Sequence, residues 1–555
     1  MKTVIVGGVA GGGSAAARLR RLDEKAEIII FEKGPYVSFA NCGLPYYIGD
    51  VIPEENDLIV FSAEKYKGWF NIDVFTRHEV LSINREKKSV LVKNLISGET
   101  FEETYDNLIL STGSKPFVPK LPGCDLPGVF QLRDIPDSNQ IKSWIDQHHA
   151  TRAVVVGGGF IGLEMAENLV HRGLKVSLIE LAPHVMPILS DELATILEKT
   201  IRDHGIDLHS GSGFESITAE SDHLKVSHTK GTPIECELVI LSIGVSPNSE
   251  LARDCGLSLG MRGSIAVDRQ MRTSDPSIFA VGDVVQVTSR VTDKPTTLPL
   301  AGPANREGRI VADVLSGLQS EFPGVQGTSV CRMFDLTVAM TGETPASLSR
   351  SKAMDAEKVE CVHVHAANHA TYYPGSSMIH LDLCFDRESG RVLGAQAVGK
   401  DGVEKRIDVL AAFIQMKATV SDVAQAELCY APPFGSAKDV VNMAGMLGEN
   451  VMKGLVRQMA WEEALRREDV FKLDVRNKAM FDANPIAGFE NIPLEKVRSS
   501  LEKIPKEKEV AVTCNVGKTA YFAARILMQE GYRVSLLPGG WNTYSILPEK
   551  VKKQE

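Results

Sequence analysis

An α/β architecture built on two nucleotide-binding folds, with further domains behind them, is predicted by three observations. A short β-branched strand runs into a glycine-rich turn and a helix near the start, and the same order returns from residue 153. Each copy is followed by a second strand ending on an acid, Glu32 and then Glu180. At 555 residues the chain has room for three or four domains with buried cores.

In the first copy Lys2-Thr3-Val4-Ile5-Val6 is the strand and Gly7-Gly8-Val9-Ala10-Gly11-Gly12 the turn, opening an Ala/Arg-rich helix to about Leu22. The strand Glu27-Ile28-Ile29-Ile30-Phe31 then ends at Glu32, 20 residues after Gly12. Glycines let backbone amides approach a pyrophosphate, the helix start favours its charge, and the acid binds ribose hydroxyls. Val9 replaces the middle glycine here. The second copy keeps the full spacing: Ala153–Val156 enters Gly157-Gly158-Gly159-Phe160-Ile161-Gly162, and Lys175–Ile179 leads to Glu180. Two copies, each with its acid, predict two bound dinucleotides. Ser111-Thr112-Gly113-Ser114 follows a strand at Asn107–Leu110, and Gly282-Asp283 follows one at Ile278–Val281. Alone, such turns are ordinary loop punctuation.

The stretch Ser38-Phe39-Ala40-Asn41-Cys42-Gly43-Leu44-Pro45-Tyr46-Tyr47 holds one cysteine shortly after the first acid. Gly43 and Pro45 suit a turn entering a helix, so Cys42 is expected near a positive helix end, which lowers a thiol pKa.

The totals exclude several classes. A formal charge of −10 and the lack of a long basic block disfavour nucleic acid as a partner. No apolar run reaches the 18 or so residues of a membrane helix. The first residues read as strand, turn and helix rather than as a leader, because glycines crowd them and Arg18, Arg20 and Arg21 follow directly. Nine cysteines lack paired spacing, which argues against a disulfide framework or cysteine-rich zinc site and for a reducing, cytoplasmic setting. Packing is the expected role of the cysteines other than Cys42 and Cys514. Cys361, His363 and His365 alternate and share one face of a strand, with His369 nearby; a half-buried strand is preferred over a metal site, and no metal is expected.

In this order the two nucleotide motifs, the Ser111–Ser114 turn and Gly282-Asp283 resemble the pyridine nucleotide-disulfide oxidoreductase family, over residues 1 to about 450. The resemblance implies FAD in the first fold, with Asp283 on the ribityl chain, and NAD(P)H in the second. It marks Gly7, Gly8, Ala10, Gly11, Gly12, Glu32, Lys33, Ser111, Thr112, Gly113, Gly282 and Asp283 for the flavin nucleotide, and Gly157, Gly159, Phe160, Ile161, Gly162 and Glu180 for the nicotinamide nucleotide. Glu180 would repel a 2'-phosphate and Leu181-Ala182-Pro183-His184 supplies no arginine, so NADH is favoured, with NADPH possible.

Members with two cysteines carry C-x-x-x-x-C; here Tyr47 stands five after Cys42, so the single thiol cycles as a mixed disulfide, a persulfide or a sulfenic acid. Peroxidase relatives place a histidine in the first glycine turn, where this chain has Ala10. The Ser38–Cys42 run followed by Pro45-Tyr46 looks like the coenzyme A-disulfide and persulfide reductase branch. By that resemblance Arg18, Arg21, Ser38 and Asn41 bind coenzyme A, as substrate or bound ligand. Tyr372 and Tyr430, in a dimerisation domain, are donors to the partner subunit's cysteine.

The tail changes character. Val470–Arg476, Val510–Thr513 and Cys514-Asn515-Val516-Gly517-Lys518-Thr519-Ala520 before a helix, then Pro538-Gly539-Gly540-Trp541, resemble a rhodanese domain. Cys514, cradled by loop amides at a helix start, would be a thiolate able to hold transferable sulfur. Rhodanese loops typically carry two arginines; Asn515 and Thr519 stand there, leaving Lys518. Gly517-Lys518-Thr519 is not a nucleotide P-loop, since Val512 occupies the required glycine position.

The implied fold is thus α/β: two Rossmann-like domains for FAD and NAD(P), an α+β dimerisation domain and a C-terminal α/β rhodanese-like domain. The expected boundaries are 1–113 and 244–324 for FAD, 114–243 for NAD(P)H, 325–447 for dimerisation, 448–463 for a linker and 464–555 for the rhodanese part. The implied activity is an FAD-dependent NAD(P)H oxidoreductase that reduces coenzyme A disulfide, coenzyme A persulfide or polysulfide as a homodimer, with no nucleic acid or membrane. An NADH oxidase or peroxidase using a sulfenic acid, and a sulfur-carrying or redox-responsive binding protein, are the alternatives.

Overall fold

A computed structural model describes residues 1–547 and 549–552. It divides into two units, Met1–Pro183 with Gly205–Val325, and His184–His204 with Gln326–Glu555. In the first unit the β-branched runs form two parallel five-stranded sheets of the same order. One reads Ile278–Ala280, Asn107–Leu110, Lys2–Val6, Glu27–Glu32, Asp73–Thr76; the other reads Val129–Phe130, Leu238–Leu241, Arg152–Val156, Lys175–Glu180, Asp207–Ser210. Val4, Ile5, Val154 and Val155 are buried, as expected of parallel strands covered on both faces.

The first glycine helix, Gly11–Leu22, crosses Ala301–Leu315 so closely that a Cβ on Gly308 would lie 2.2 Å from the Gly11 carbonyl oxygen. Only glycine permits that approach. Near Cys42, a single 3-10 turn Asn41–Gly43 leads into the short helix Leu44–Ile48, with Pro45 in its first turn.

In the second unit an antiparallel sheet runs Ser329–Met333, Leu336–Gly342, Val392–Gly399, Met378–Asp386, Val359–Ala367. A parallel sheet runs Glu490–Asn491, Val470–Asp474, Glu509–Thr513, Arg533–Leu536, and the helix Lys518–Gln529 buries Ala520, Ala523, Ala524 and Leu527 at one-face spacing.

Three expectations change. The segment 448–463, read as a linker, is structured: Gly448 lies inside the helix Val440–Met452, and Gln458 bridges to Leu536. Gln458 Nε2 also donates to Glu360 Oε1 and the Cys361 carbonyl, at 2.9 and 3.0 Å, so the segment is held from both sides. Cys361 and Cys384, expected only to pack, stand opposite one another on adjacent strands and are joined as a disulfide. Register, not sequence spacing, brings them together. The helix Asp191–Asp203, counted with the nicotinamide domain, belongs to the second unit.

Candidate functional site

The two glycine turns are built alike. Gly7 N donates to the Phe31 carbonyl and Gly157 N to that of Ile179, so each turn is tied to the strand carrying its acid. A Cβ on Gly7 would meet Ser111 O at 2.3 Å, and one on Gly157 would meet Ser242 O at 2.5 Å. The third positions are tighter still: Gly12 would reach Gly7 O at 2.0 Å and Gly162 would reach Gly157 O at 1.8 Å. Gly159, the middle glycine, faces open space, as a turn that admits a pyrophosphate requires.

The acids are held in place by amides. Glu32 accepts from Gly8 N at 3.1 Å and Gly34 N at 2.9 Å; Glu180 accepts from Gly158 N and Ala182 N, both at 2.6 Å. Burial pushes the Glu32 carboxyl above its usual range. Ser111 Oγ accepts from Gly12 N, while Thr112 Oγ1 donates to the Asn248 carbonyl and Asn248 Nδ2 donates back to the Thr112 carbonyl. Gly113 adopts positive φ beside Arg133. Asp283 accepts from Ser114 Oγ at 2.9 Å and is raised by burial, and Gly282 N donates to Glu307. Ala10 precedes the first helix, while Phe160 and Ile161 open the second. Residues at two crowded glycine turns, two anchored ribose-type acids and the half-buried Asp283 carboxylate beyond the first sheet fit FAD and a nicotinamide nucleotide.

Cys42 and Asn41 are exposed side by side ahead of Leu44–Ile48. Contrary to the expected depression, the Cys42 thiol is pushed up: although the residue as a whole is exposed, packing around it partly desolvates the thiol, and the charges of Glu164 and Asp283 add to this. A helix of little more than one turn offers a weak opposing dipole. Tyr46 Oη donates to Glu164 Oε1 at 3.4 Å, and burial pushes Glu164 up to about 7.

Several expected binding residues are otherwise engaged. Arg18 Nε pairs with Asp313 at 2.9 Å, so its charge is already met, whereas Arg21 is exposed. Arg20, on the same helix, is buried and donates to the carbonyls of Phe70, Asp23, Glu24 and Asn71. Ser38 is buried, with its hydroxyl 3.5 Å from the Val9 carbonyl, so it backs the glycine turn. Lys33 pairs with Glu79 at 2.7 Å. Sequence reasoning missed Arg133, Glu164, Glu307 and Asn248; Arg133 had a signal, standing beside the Asp134 cap of the helix Ile135–Gln147.

In the second unit Tyr372 and Tyr430 come together across 58 residues, hydroxyl to hydroxyl at 3.1 Å, with Tyr372 74% exposed. That bond holds the Tyr372 pKa above its usual value.

Cys514 is 1% exposed, at the end of Glu509–Thr513. Its carbonyl accepts from Trp541 N at 2.6 Å and that of Asn515 accepts from Asn542 N at 2.9 Å. An adjoining cavity of about 380 Å3 is lined by Arg476, Met480, Asn484, Asn515 and Trp541, among others. Arg476 is neutralised by Asp474, bonded through Nε and Nη2, and lies over the Trp541 ring at 4.8 Å.

Two nucleotide folds around a thiol, with a second thiol on a separate parallel sheet, define a flavin- and nicotinamide-dependent oxidoreductase acting on sulfur. The chain belongs to the pyridine nucleotide-disulphide oxidoreductase family, whose profile matches residues 1–308; the family's dimerisation domain matches 328–440 and a rhodanese-like domain 459–546. A coenzyme A disulfide reductase of Staphylococcus haemolyticus is 37% identical over 445 residues, 80% of this chain and 98% of the relative. The crystal structure of reduced Bacillus anthracis CoADR-RHD is 44% identical, with a TM-score of 0.95 over 98% of both chains. An NAD-dependent persulfide reductase from A. fulgidus is 35% identical, with a TM-score of 0.91 over 98% of this chain and all of the other. A water-forming NADH oxidase from Lactobacillus brevis, 29% identical with a TM-score of 0.77, covers 82% of this chain and 99% of its own.

Proposed function

We propose that this protein uses NADH to reduce coenzyme A disulfide and coenzyme A persulfide at Cys42, and that Cys514 carries sulfane sulfur to or from that site. The observation that carries the reading is a lone thiol at position 42, beside Glu164 and Asp283, with Tyr47 where a second cysteine would stand. Likeness over nearly the whole chain to a persulfide reductase and to CoADR-RHD supports the rhodanese half of the proposal.

FAD, when bound, takes hydride from the nicotinamide and supplies an electron pair for sulfur. The Gly7–Gly12 turn, Glu32 and Asp283 would hold it; Gly157–Gly162 and Glu180 would hold the nicotinamide nucleotide. Cys42 thiolate attacks one sulfur of coenzyme A disulfide, giving a Cys42–coenzyme A mixed disulfide and coenzyme A thiolate. With the persulfide, attack on the inner sulfur gives the same mixed disulfide and hydrosulfide. An electron pair then splits the mixed disulfide into Cys42 thiolate and coenzyme A thiolate, which takes up a proton. In a homodimer, Tyr372 and Tyr430 would serve the partner's thiol as proton or hydrogen-bond donors. Asn41 and Arg21 remain candidates for binding coenzyme A, and the setting is cytoplasmic; among the described residues no helix is long and apolar enough to cross a membrane.

Cys42→Ser should abolish NADH-dependent reduction of both substrates while retaining bound, reducible FAD; undiminished turnover rejects the role. Cys514→Ser should impair persulfide or polysulfide use more than disulfide use. Oxygen or peroxide consumption without any sulfur acceptor would favour the oxidase alternative.

A further inference from the structure

One face of the antiparallel sheet carries three opposed pairs: Cys361 with Cys384, His363 with Asp382, and His365 with His380. His365 has both ring nitrogens committed, Nδ1 to His380 Nδ1 and Nε2 to Thr543 Oγ1, each at 2.7 Å. Both partners of the second contact are buried, His365 at 7% and Thr543 at 2% exposure. Burial holds His365 and His380 well below the usual imidazole range, so both rings are neutral and share one proton between their Nδ1 atoms. The ring is therefore fixed in plane and position.

Thr543 sits on the helix Gly540–Ile546, whose first turn clamps the sulfur-bearing loop through Trp541 N to the Cys514 carbonyl and Asn542 N to the Asn515 carbonyl. Gly539 and Gly540 both have positive φ, and neither has room for a side chain. A Cβ on Gly539 would meet His365 Nε2 at 2.5 Å, and one on Gly540 would meet the Cys514 carbonyl oxygen at 2.6 Å. Imidazole, diglycine turn and Cys514 loop are thus packed without slack along one line.

We infer that His365 is a positioning residue for Cys514: through Thr543 it sets the Gly539–Asn542 turn, whose amides hold the Cys514 and Asn515 carbonyls and so fix the sulfur-bearing loop. A strand outside the rhodanese-like sheet thereby completes the sulfur site. The inference rests on reading Cys514 as the sulfur-carrying thiol. Displacing that turn moves the Cys514 loop, so the consequence appears in how fast Cys514 takes up sulfur.

The test is the rate at which Cys514 gains sulfur from sodium tetrasulfide in the full-length flavoprotein, read by peptide mass mapping so that other cysteines do not interfere. His365→Ala and Thr543→Val should each slow that loading roughly tenfold. His365→Gln should restore most of the wild-type rate, because the Gln side-chain amide places a polar atom close to Nε2. Wild-type rates in both His365→Ala and Thr543→Val overturn the inference, as does a loss in His365→Ala that His365→Gln leaves uncorrected. The wild type tests the underlying reading separately: absence of added sulfur on its Cys514 rejects the carrier role itself.

Discussion

Arg476 and Asp474 form an ion pair in which both side chains are almost wholly withdrawn from solvent, at 2% and 0% exposure. The guanidinium gives Asp474 bonds of 2.9 Å from Nε and 2.6 Å from Nη2, and a further 2.8 Å bond to the Asn484 carbonyl. Replacing Arg476 by Met keeps much of the volume but leaves a buried carboxylate without its cation, a loss of about 3–5 kcal/mol. The Trp541 contact adds about 1 kcal/mol more. Against a domain stability of roughly 5–15 kcal/mol, that is a large share. With a urea slope of about 1 kcal/mol/M for a module this small, the midpoint should fall by roughly 3 M or more. Trp461 and Trp541 lie in the rhodanese-like part and Trp69 and Trp144 in the first unit, so in a Trp69→Phe/Trp144→Phe background tryptophan fluorescence follows the module in the full chain, and flavin fluorescence follows the rest. The double variant Asp474→Leu/Arg476→Met should recover most of the loss, since an apolar pair needs no charge compensation. A midpoint for Arg476→Met within 0.5 M or so of wild type would refute the reasoning.

Gly308→Val should drive apart the helices Gly11–Leu22 and Ala301–Leu315, giving a protein purified with little FAD and a lower melting temperature; a yellow, equally stable variant counts against it. Glu180→Gln removes the charge opposed to a 2'-phosphate, so the ratio of kcat/KM for NADPH over NADH should rise about tenfold; an unchanged ratio means that other groups choose the nucleotide. Stability against pH should peak near 6.5 for the second unit. Burial alone would lower His363, but Asp382 more than offsets it and raises the ring to about 9, so its contribution is complete below 6.5 and lost as pH rises through 9. His365 and His380, depressed to about 3 and about 4, stay neutral when folded while the unfolded rings take protons, so stability also falls below 6.5. His363→Gln should flatten the alkaline limb of a melting-temperature profile and His380→Gln the acid limb; limbs that ignore both substitutions refute the assignment.

Local chemistry was legible in the sequence where one segment decides it. Strand, glycine turn and terminal acid lie within about 30 residues, and both copies fold as that order demands. Tyr372 and Tyr430 were reached only by resemblance, since nothing local in 58 residues announces their contact. What the sequence hid depends on register and on long-range partners. Cys361 meets Cys384 because two strands align, and Arg18 is silenced by an aspartate 295 residues away. The Cys42 environment was misjudged for the same reason: the packing that desolvates its thiol, and then the charges of Glu164 and Asp283, come from other segments and outweigh one short helix.

The helix Asp191–Asp203 follows Glu180 closely in sequence, yet it packs Leu193, Ala194, Leu197 and Ile201 inward as part of the second unit. Ser190, just ahead of it, is bonded to Asp382 and Gln396. Any attempt to excise the second nucleotide fold along its sequence limits would carry off this segment and strip four apolar residues of their cover. The donor of the cut would gain a sticky amphipathic helix and the recipient sheet would lose a lid, so both fragments should aggregate where the intact chain does not.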